Sequence, residues 1–309
     1  MSGFVSRLGR AVPLALCLAV FTPAYALACA CGCTVFDVGT SSLMPAGPGG
    51  TAFLEYDWLD QTRNYSGTSR APSAGNEDKR INSNFFVAGA QYMFNEKWGV
   101  MAQFPFTSRR LETTEPGSYS VFNHSSLGDI RLMGVYSGFA PDMSTGVTFG
   151  VKLPTGDHKF AGFDADVQIG SGSTDVLLGL YHTGALSVDG RWNYYAQALW
   201  QHEIATQNGY TPGSELNGSV GASYELFRMG NVAISPMLQM IVSRRGHDSG
   251  PAGEADETGY TRALVAPGLQ ADFGTWKLYG DVELPVYQHV TGEQLIAPVA
   301  VKFIASFAF

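Results

Sequence analysis

Charge is what this sequence has least of. Lys, Arg, Asp and Glu supply 15% of its 309 residues, where a soluble domain carries about 25%, so a large part of the folded surface must do without them. Basic residues are the scarcer sign, 19 against 27 acidic ones, for a formal charge of -8. A nucleic-acid backbone needs clustered Lys and Arg, and nucleic acid is therefore excluded as a partner. Long apolar runs are also missing. The run from Ala11 to Phe21 is shorter than the roughly 20 residues that a spanning helix requires. No Gly-rich phosphate loop, Cys-x-x-Cys-His or His-Glu-x-x-His occurs, which removes the usual sequence grounds for a nucleotide, c-type haem or zinc-protease site.

The short apolar run has its own meaning. Arg7 and Arg10 precede its core, and Ala24-Tyr25-Ala26 and Ala26-Leu27-Ala28 follow it, as in the basic, apolar and small-residue regions of an export signal. The chain divides on this reading into a cleaved signal at 1–28, a Cys-, Gly- and Pro-rich periplasmic lead at 29–50 and a body at 51–309. Loss of the two leader arginines lowers the formal charge from -8 to -10.

What fills the body is alternation. Trp192, Tyr194, Ala196, Ala198 and Trp200 interleave with Asn193, Tyr195, Gln197, Leu199 and Gln201, one face apolar with aromatic ends and the other mainly polar. Trp276, Leu278, Gly280, Val282 and Leu284 stand against Lys277, Tyr279, Asp281 and Glu283 in the same way. A period of two keeps each set on one face of a strand, whereas a helix would scatter it. Segments of about ten such residues mark lipid-facing strands. About twelve are predicted, among them 51–63, 124–138, 144–154, 275–288 and 297–309, with short connections such as Asn95-Glu96-Lys97 and Gly274 alternating with mostly longer ones.

An even count with alternating connections predicts an all-β, antiparallel, up-and-down transmembrane barrel in the outer membrane of a Gram-negative bacterium, its N-terminus periplasmic. The first strand must pair with the last, because hydrocarbon cannot satisfy an open edge. Val299, Val301, Phe303, Ala305, Phe307 and Phe309 alternate up to a terminal aromatic, which resembles the C-terminal signature read by the barrel-assembly machinery. That machinery and outer-membrane lipid are the expected partners, and a small molecule is the expected cargo.

The polar parity points inward. It predicts a lumen lined by Glu55, Asp57, Gln103, Arg131, Lys152, Gln201, Arg262, Asp281 and Glu283. Four of these are carboxylates near the seam of the first and last strands, which predicts a preference for cations. Gln103-Phe104-Pro105, Lys152-Leu153-Pro154 and Glu283-Leu284-Pro285 each place a proline where, lacking an N–H, it is expected to end regular pairing at the rim. The stretch before the first strand is too short for a folded plug, so passive or gated diffusion is expected. His124-Ser125-Ser126 has the His-x-Ser spacing of an outer-membrane phospholipase. A barrel enzyme is therefore the alternative reading and a structural or adhesion barrel the third, although no residue to orient the histidine is identifiable.

Val151-Lys152-Leu153-Pro154-Thr155-Gly156-Asp157, with the terminal Phe309, resembles the MetA-pathway phenol-degradation family of Gram-negative outer-membrane transporters. The resemblance implies a barrel that passes small, often aromatic, compounds, with no resident cofactor. The lead segment departs from that pattern. Cys17 leaves with the signal, so Cys29, Cys31 and Cys33 form an odd set within five residues. A Cys-x-Cys disulfide closes a tight ring and leaves a thiol over. A lipidated Cys29 or an oxidised tail would account for the set, and so would capture of a soft ion, Cu(I) or Zn(II), at the periplasmic mouth.

Overall fold

The computed structural model describes residues 43–45, 47–115 and 117–309, so Cys29, Cys31, Cys33 and the export signal lie outside the described residues. Sixteen strands follow one another along the chain: β1 (Gly49–Gln61), β2 (Arg63–Gly67), β3 (Ser69–Arg70), β4 (Asp78–Met93), β5 (Trp98–Thr113), β6 (Ser120–Leu127), β7 (Arg131–Tyr136), β8 (Thr145–Lys152), β9 (Ser173–Ala185), β10 (Trp192–Thr206), β11 (Glu215–Tyr224), β12 (Phe227–Met229), β13 (Val232–Arg245), β14 (Tyr260–Phe273), β15 (Trp276–Ile296) and β16 (Ala300–Ala308). Twelve staves close an antiparallel barrel, with β6 and β7 together forming one of them. The last stave returns to the first, from Thr51 opposite Ala308 to Leu59 opposite Ala300. Gly50 N donates to Phe309 O at 2.8 Å, and Phe309 N to Gly50 O at 2.9 Å, so the terminal aromatic completes the seam.

The missing charge is explained by the outer surface. Leu54 is 64% exposed, Phe86 45%, Leu178 49% and Leu238 57%, and leaving such side chains in water forgoes about 1.5–3 kcal/mol each. A bilayer removes that cost. Trp98 with Tyr136 (4.7 Å), Trp192 with Tyr224 (4.9 Å) and Trp276 with Phe307 (5.0 Å) form ring pairs at the ends of staves joined by short turns, the level at which an aromatic girdle meets lipid headgroups. The tightest of these turns, between β14 and β15, depends on Gly274, whose φ of 75° a side chain would strain.

The segment expected as one strand over 124–138 is two. On β6 the even residues Phe122, His124 and Ser126 turn inward, whereas on β7 the odd residues Met133 and Val135 do so and Leu132 is exposed. Pro105 lies opposite the switch. Pairing passes from Gln103 opposite Arg131 to Phe106 opposite Leu127, so two residues of β5 face three of the partner, which is a bulge beside a residue that cannot donate. Pro285 sits at a second register shift, where Ala263 faces Tyr287 and Leu264 faces Pro285. The expectation that all three prolines end strands is thus corrected: Pro154 follows the end of β8, and the other two mark bulges inside strands. Among the described residues the second edge of β6 pairs with no strand. Beyond Lys152 the wall is closed there by the segment 153–172.

Candidate functional site

The lumen holds a cavity of about 250 Å³, smaller than a typical ligand pocket and flanked by different chemistry at its two ends. At the short-turn end, Phe53, Tyr195, Met237, Tyr279 and Ile304 form one apolar cluster, and Met93, Val135, Met143 and Tyr181 another. Met44 packs against both, bridging the lumen. At the long-loop end, Phe163 and Val167 of the segment 153–172 are buried against Ile81, Leu111 and Leu295. His124 stacks on Phe160 at 4.2 Å between ring centres and meets Asp157 Oδ2 through Nε2 at 2.9 Å.

Polar side chains fix that inward fold. Lys152 Nζ lies 2.6 Å from Asp175 and 3.7 Å from Asp129, and donates to Ser171 Oγ at 2.7 Å. Asp129 in turn accepts from Gly156 N at 2.9 Å and from Ser171 N at 2.9 Å, so one carboxylate ties both ends of the segment to the wall. The two ends are close enough that a Cβ on Gly156 would sit 2.7 Å from Gly170 Cα. Arg109 donates to Ser83 Oγ at 2.9 Å, to Gln168 O at 3.2 Å and to Val167 O. Neighbouring carboxyls titrate late. Burial raises Asp164 above the usual carboxylate range, with Glu77 adding to it, and burial followed by Asp164, Glu77 and Glu254 does the same to Glu115. Asp157 is held low, first by the backbone N–H of Lys159 and then by His124.

On the opposite wall, Lys302 Nζ lies 3.1 Å from Glu55 and 3.4 Å from Asp57. Gln239 joins the same layer: it accepts from Tyr195 OH and donates to Tyr279 OH at 2.9 Å and to Asp281 Oδ2 at 2.6 Å. The interior is therefore banded, apolar toward the short turns and charged above.

No known sequence family and no curated protein matches the chain. Solved structures do. A crystal structure of an outer membrane channel from Pseudomonas putida F1 aligns with 88% of this chain and 100% of its own at a TM-score of 0.66 and 13% identity. The fold is that of an outer-membrane β-barrel. The β domain of the Bordetella autotransporter BrkA aligns with 85% of this chain and 100% of its own, at a TM-score of 0.51 and 12% identity. The Pseudomonas putida toluene transporter TodX covers 92% of this chain and 96% of its own, with 11% identity and a TM-score of 0.41, too loose a likeness to argue from.

The residues read as lumen-lining fall into two groups. Glu55, Gln103, Arg131, Lys152 and Gln201 line the cavity. Asp57, Arg262, Asp281 and Glu283 are buried off it, within the side-chain packing of the wall. Arg262 lies over the Tyr260 ring at 4.1 Å. Leu43, Met44 and Pro45, the end of the stretch read as a periplasmic lead, also line the cavity. Lys302, Asp129 and Asp175 were missed by sequence reasoning, although the alternation that turns Phe303 outward turns Lys302 inward. Asp157 supplies the carboxylate on the His124 ring that the sequence left unidentified, while the hydroxyl of Ser126 is donated to Leu127 O at 3.0 Å rather than to the histidine. Among the described residues no group of three or more His, Cys, Asp or Glu is placed to hold a metal ion.

Proposed function

We propose that this chain is an outer-membrane channel for small, largely apolar molecules, aromatic ones among them, with its short turns in the periplasm. The observation that carries the reading is the banded cavity. Its apolar floor of Met44, Met101, Met133 and Val135, set below polar walls that include Gln103 and Gln201, suits a compact apolar body with at most a small polar end. Thioethers also make favourable contacts with ring edges. Tested in liposomes, the purified barrel is expected to pass small aromatics and to exclude neutral sugars. Equal permeation of both would overturn the reading.

A second reading concerns the lead segment. Cys29, Cys31 and Cys33 are proposed to capture a soft ion such as Cu(I) or Zn(II), supported by the seating of Leu43–Pro45 on the cavity, ten positions beyond Cys33 in the sequence. Replacement of all three by Ser is expected to abolish capture by the lead. A diacylglyceryl adduct on Cys29 would rule this reading out.

A further inference from the structure

Five methionines gather at the short-turn end of the cavity, three lining it and two buried behind them. Met93 and Met143 are buried against Val135 and Tyr181, and Met44 and Met101 pack on the same group. Met133 stands directly opposite Met101 in the β5–β7 ladder, and Met44, Met101 and Met133 all line the cavity. Direct cross-strand neighbours have Cβ atoms about 4.5–5.5 Å apart, so two flexible thioethers on one face can converge on a single ion.

Packing explains methionine as a gap filler, but it leaves two neighbouring features unexplained. Gln91, the partner of Met101 on its other side, lines the same cavity at 5% exposure and keeps Oε1 without a hydrogen bond, an acceptor waiting for a positive or donating guest. Three thiols also lie upstream in the sequence, with Cys33 eleven positions before Met44, a reach of at most roughly 40 Å.

We propose that Met44, Met101 and Met133 form a thioether site for a soft monovalent cation, Cu(I) or its redox-stable analogue Ag(I). Soft sulfur ligands select such ions over Mg(II), Ca(II) or Mn(II). A thioether binds without losing a proton, so the ion keeps its full charge, and the pair Glu55 and Asp57, which outnumbers its one partner Lys302, offsets that charge from a distance. Transfer from thiolate to thioether is ligand exchange with no change of oxidation state. The site rests on the soft-metal reading of the lead segment for the identity of its ion, and extends that reading into the lumen.

The test is an anaerobic Cu(I) titration of the full mature chain in detergent against a chromophoric Cu(I) chelator. The unaltered protein is expected to bind about two equivalents, by the ligand counting that metal sites obey. Met101→Leu/Met133→Leu, which conserves core volume, is expected to keep about one, and Cys29→Ser/Cys31→Ser/Cys33→Ser to keep the other. Two equivalents in the leucine variant, or a single equivalent that the serine variant abolishes, overturns the thioether site and leaves the thiol reading standing. One equivalent in the leucine variant with two in the serine variant removes the thiol reading instead. Should the leucine variant fail to fold, methyl-labelled methionine spectra of the unaltered protein decide: Ag(I) must shift resonances of Met44, Met101 and Met133, and no shift overturns the proposal.

Discussion

Replacing Lys302 by Met tests whether the lumen is held by charge or merely filled. Lys302 is 2% exposed, and its ammonium faces Glu55 at 3.1 Å and Asp57 at 3.4 Å, with side-chain exposures of 10% and 3%. Taking away the one partner of a buried pair costs about 3–5 kcal/mol, because the remaining charge is left uncompensated. Glu55 borders the cavity and can be hydrated from it, which favours the lower end, about 3 kcal/mol, or roughly a hundredfold in the unfolding constant. Lys302→Met/Glu55→Gln/Asp57→Asn removes the two charges nearest the lost ammonium at nearly the same volume and is expected to recover part of the loss, the remainder being set by buried Asp281, directly across the ladder from Lys302. Urea unfolding from phospholipid vesicles, followed by the fluorescence of the five tryptophans, reads both. A single variant losing less than 1 kcal/mol, or a triple variant no better than the single, would refute the argument.

The other predictions concern the segment 153–172 and the cavity. Asp129→Asn weakens the tie at Gly156 and Ser171 and is expected to raise single-channel conductance several-fold, so unchanged conductance would count against the inward segment as the barrier. Because docking raises Asp164 and Glu115 above their free values, the docked form binds more protons. Their contribution is full below the ordinary carboxylate range and lost as pH rises through the raised values; the lowered Asp157 acts oppositely and only at lower pH. Mild acidification is therefore expected to reduce conductance, and Asp164→Asn to blunt the response. Glu55 lines the cavity and Glu283 does not, so reversal potentials in a salt gradient should lose cation preference in Glu55→Gln and keep it in Glu283→Gln. Gly156→Val places a Cβ 2.7 Å from Gly170 Cα and 2.9 Å from Gly128 C, an overpacking expected to cost about 1–3 kcal/mol and visible as protease sensitivity confined to 153–172.

The barrel was legible because each stave writes its own pattern. Trp276, Leu278, Val282 and Leu284 face lipid, and Tyr279, Asp281 and Glu283 face inward, as the period of two required. The break between β6 and β7 was not legible, since Leu127 and Leu132 both face lipid and the three residues needed to change parity, Gly128-Asp129-Ile130, are also acceptable within a strand. Its cause is Pro105 on another stave. The inward segment was hidden for a related reason: Arg109 reaches Val167 and Gln168 across 58 and 59 positions, and a contact of that range leaves no local periodicity. The Val151–Asp157 motif that carried the family resemblance does coincide with the segment's base, through Lys152 and Gly156. Its role as an anchor becomes visible only when Asp129 and Ser171 stand beside it.

On the proposed channel reading, those anchors bear on how the lumen would open. Met44 bridges the lumen at one end through apolar contacts, whereas 153–172 is held at the other by charge-assisted bonds to Asp129 and Lys152 as well as by Phe163 and Val167. The same residues border the interrupted wall: Leu153 N donates to Ile130 O at 2.8 Å and Thr155 Oγ1 accepts from Ile130 N at 2.9 Å. A displacement of the segment's base would consequently unblock the mouth and loosen the wall in one movement. A displacement of Met44 would open the short-turn end alone. The two barriers are built from different forces, so they should separate in practice: salt and pH act on the first through its charges, while temperature, which acts on apolar contacts differently, tunes the second. On the proposed channel reading, conductance is expected to respond to pH and temperature as two independent steps, and a single step sensitive to both would place the barrier at one end of the lumen only.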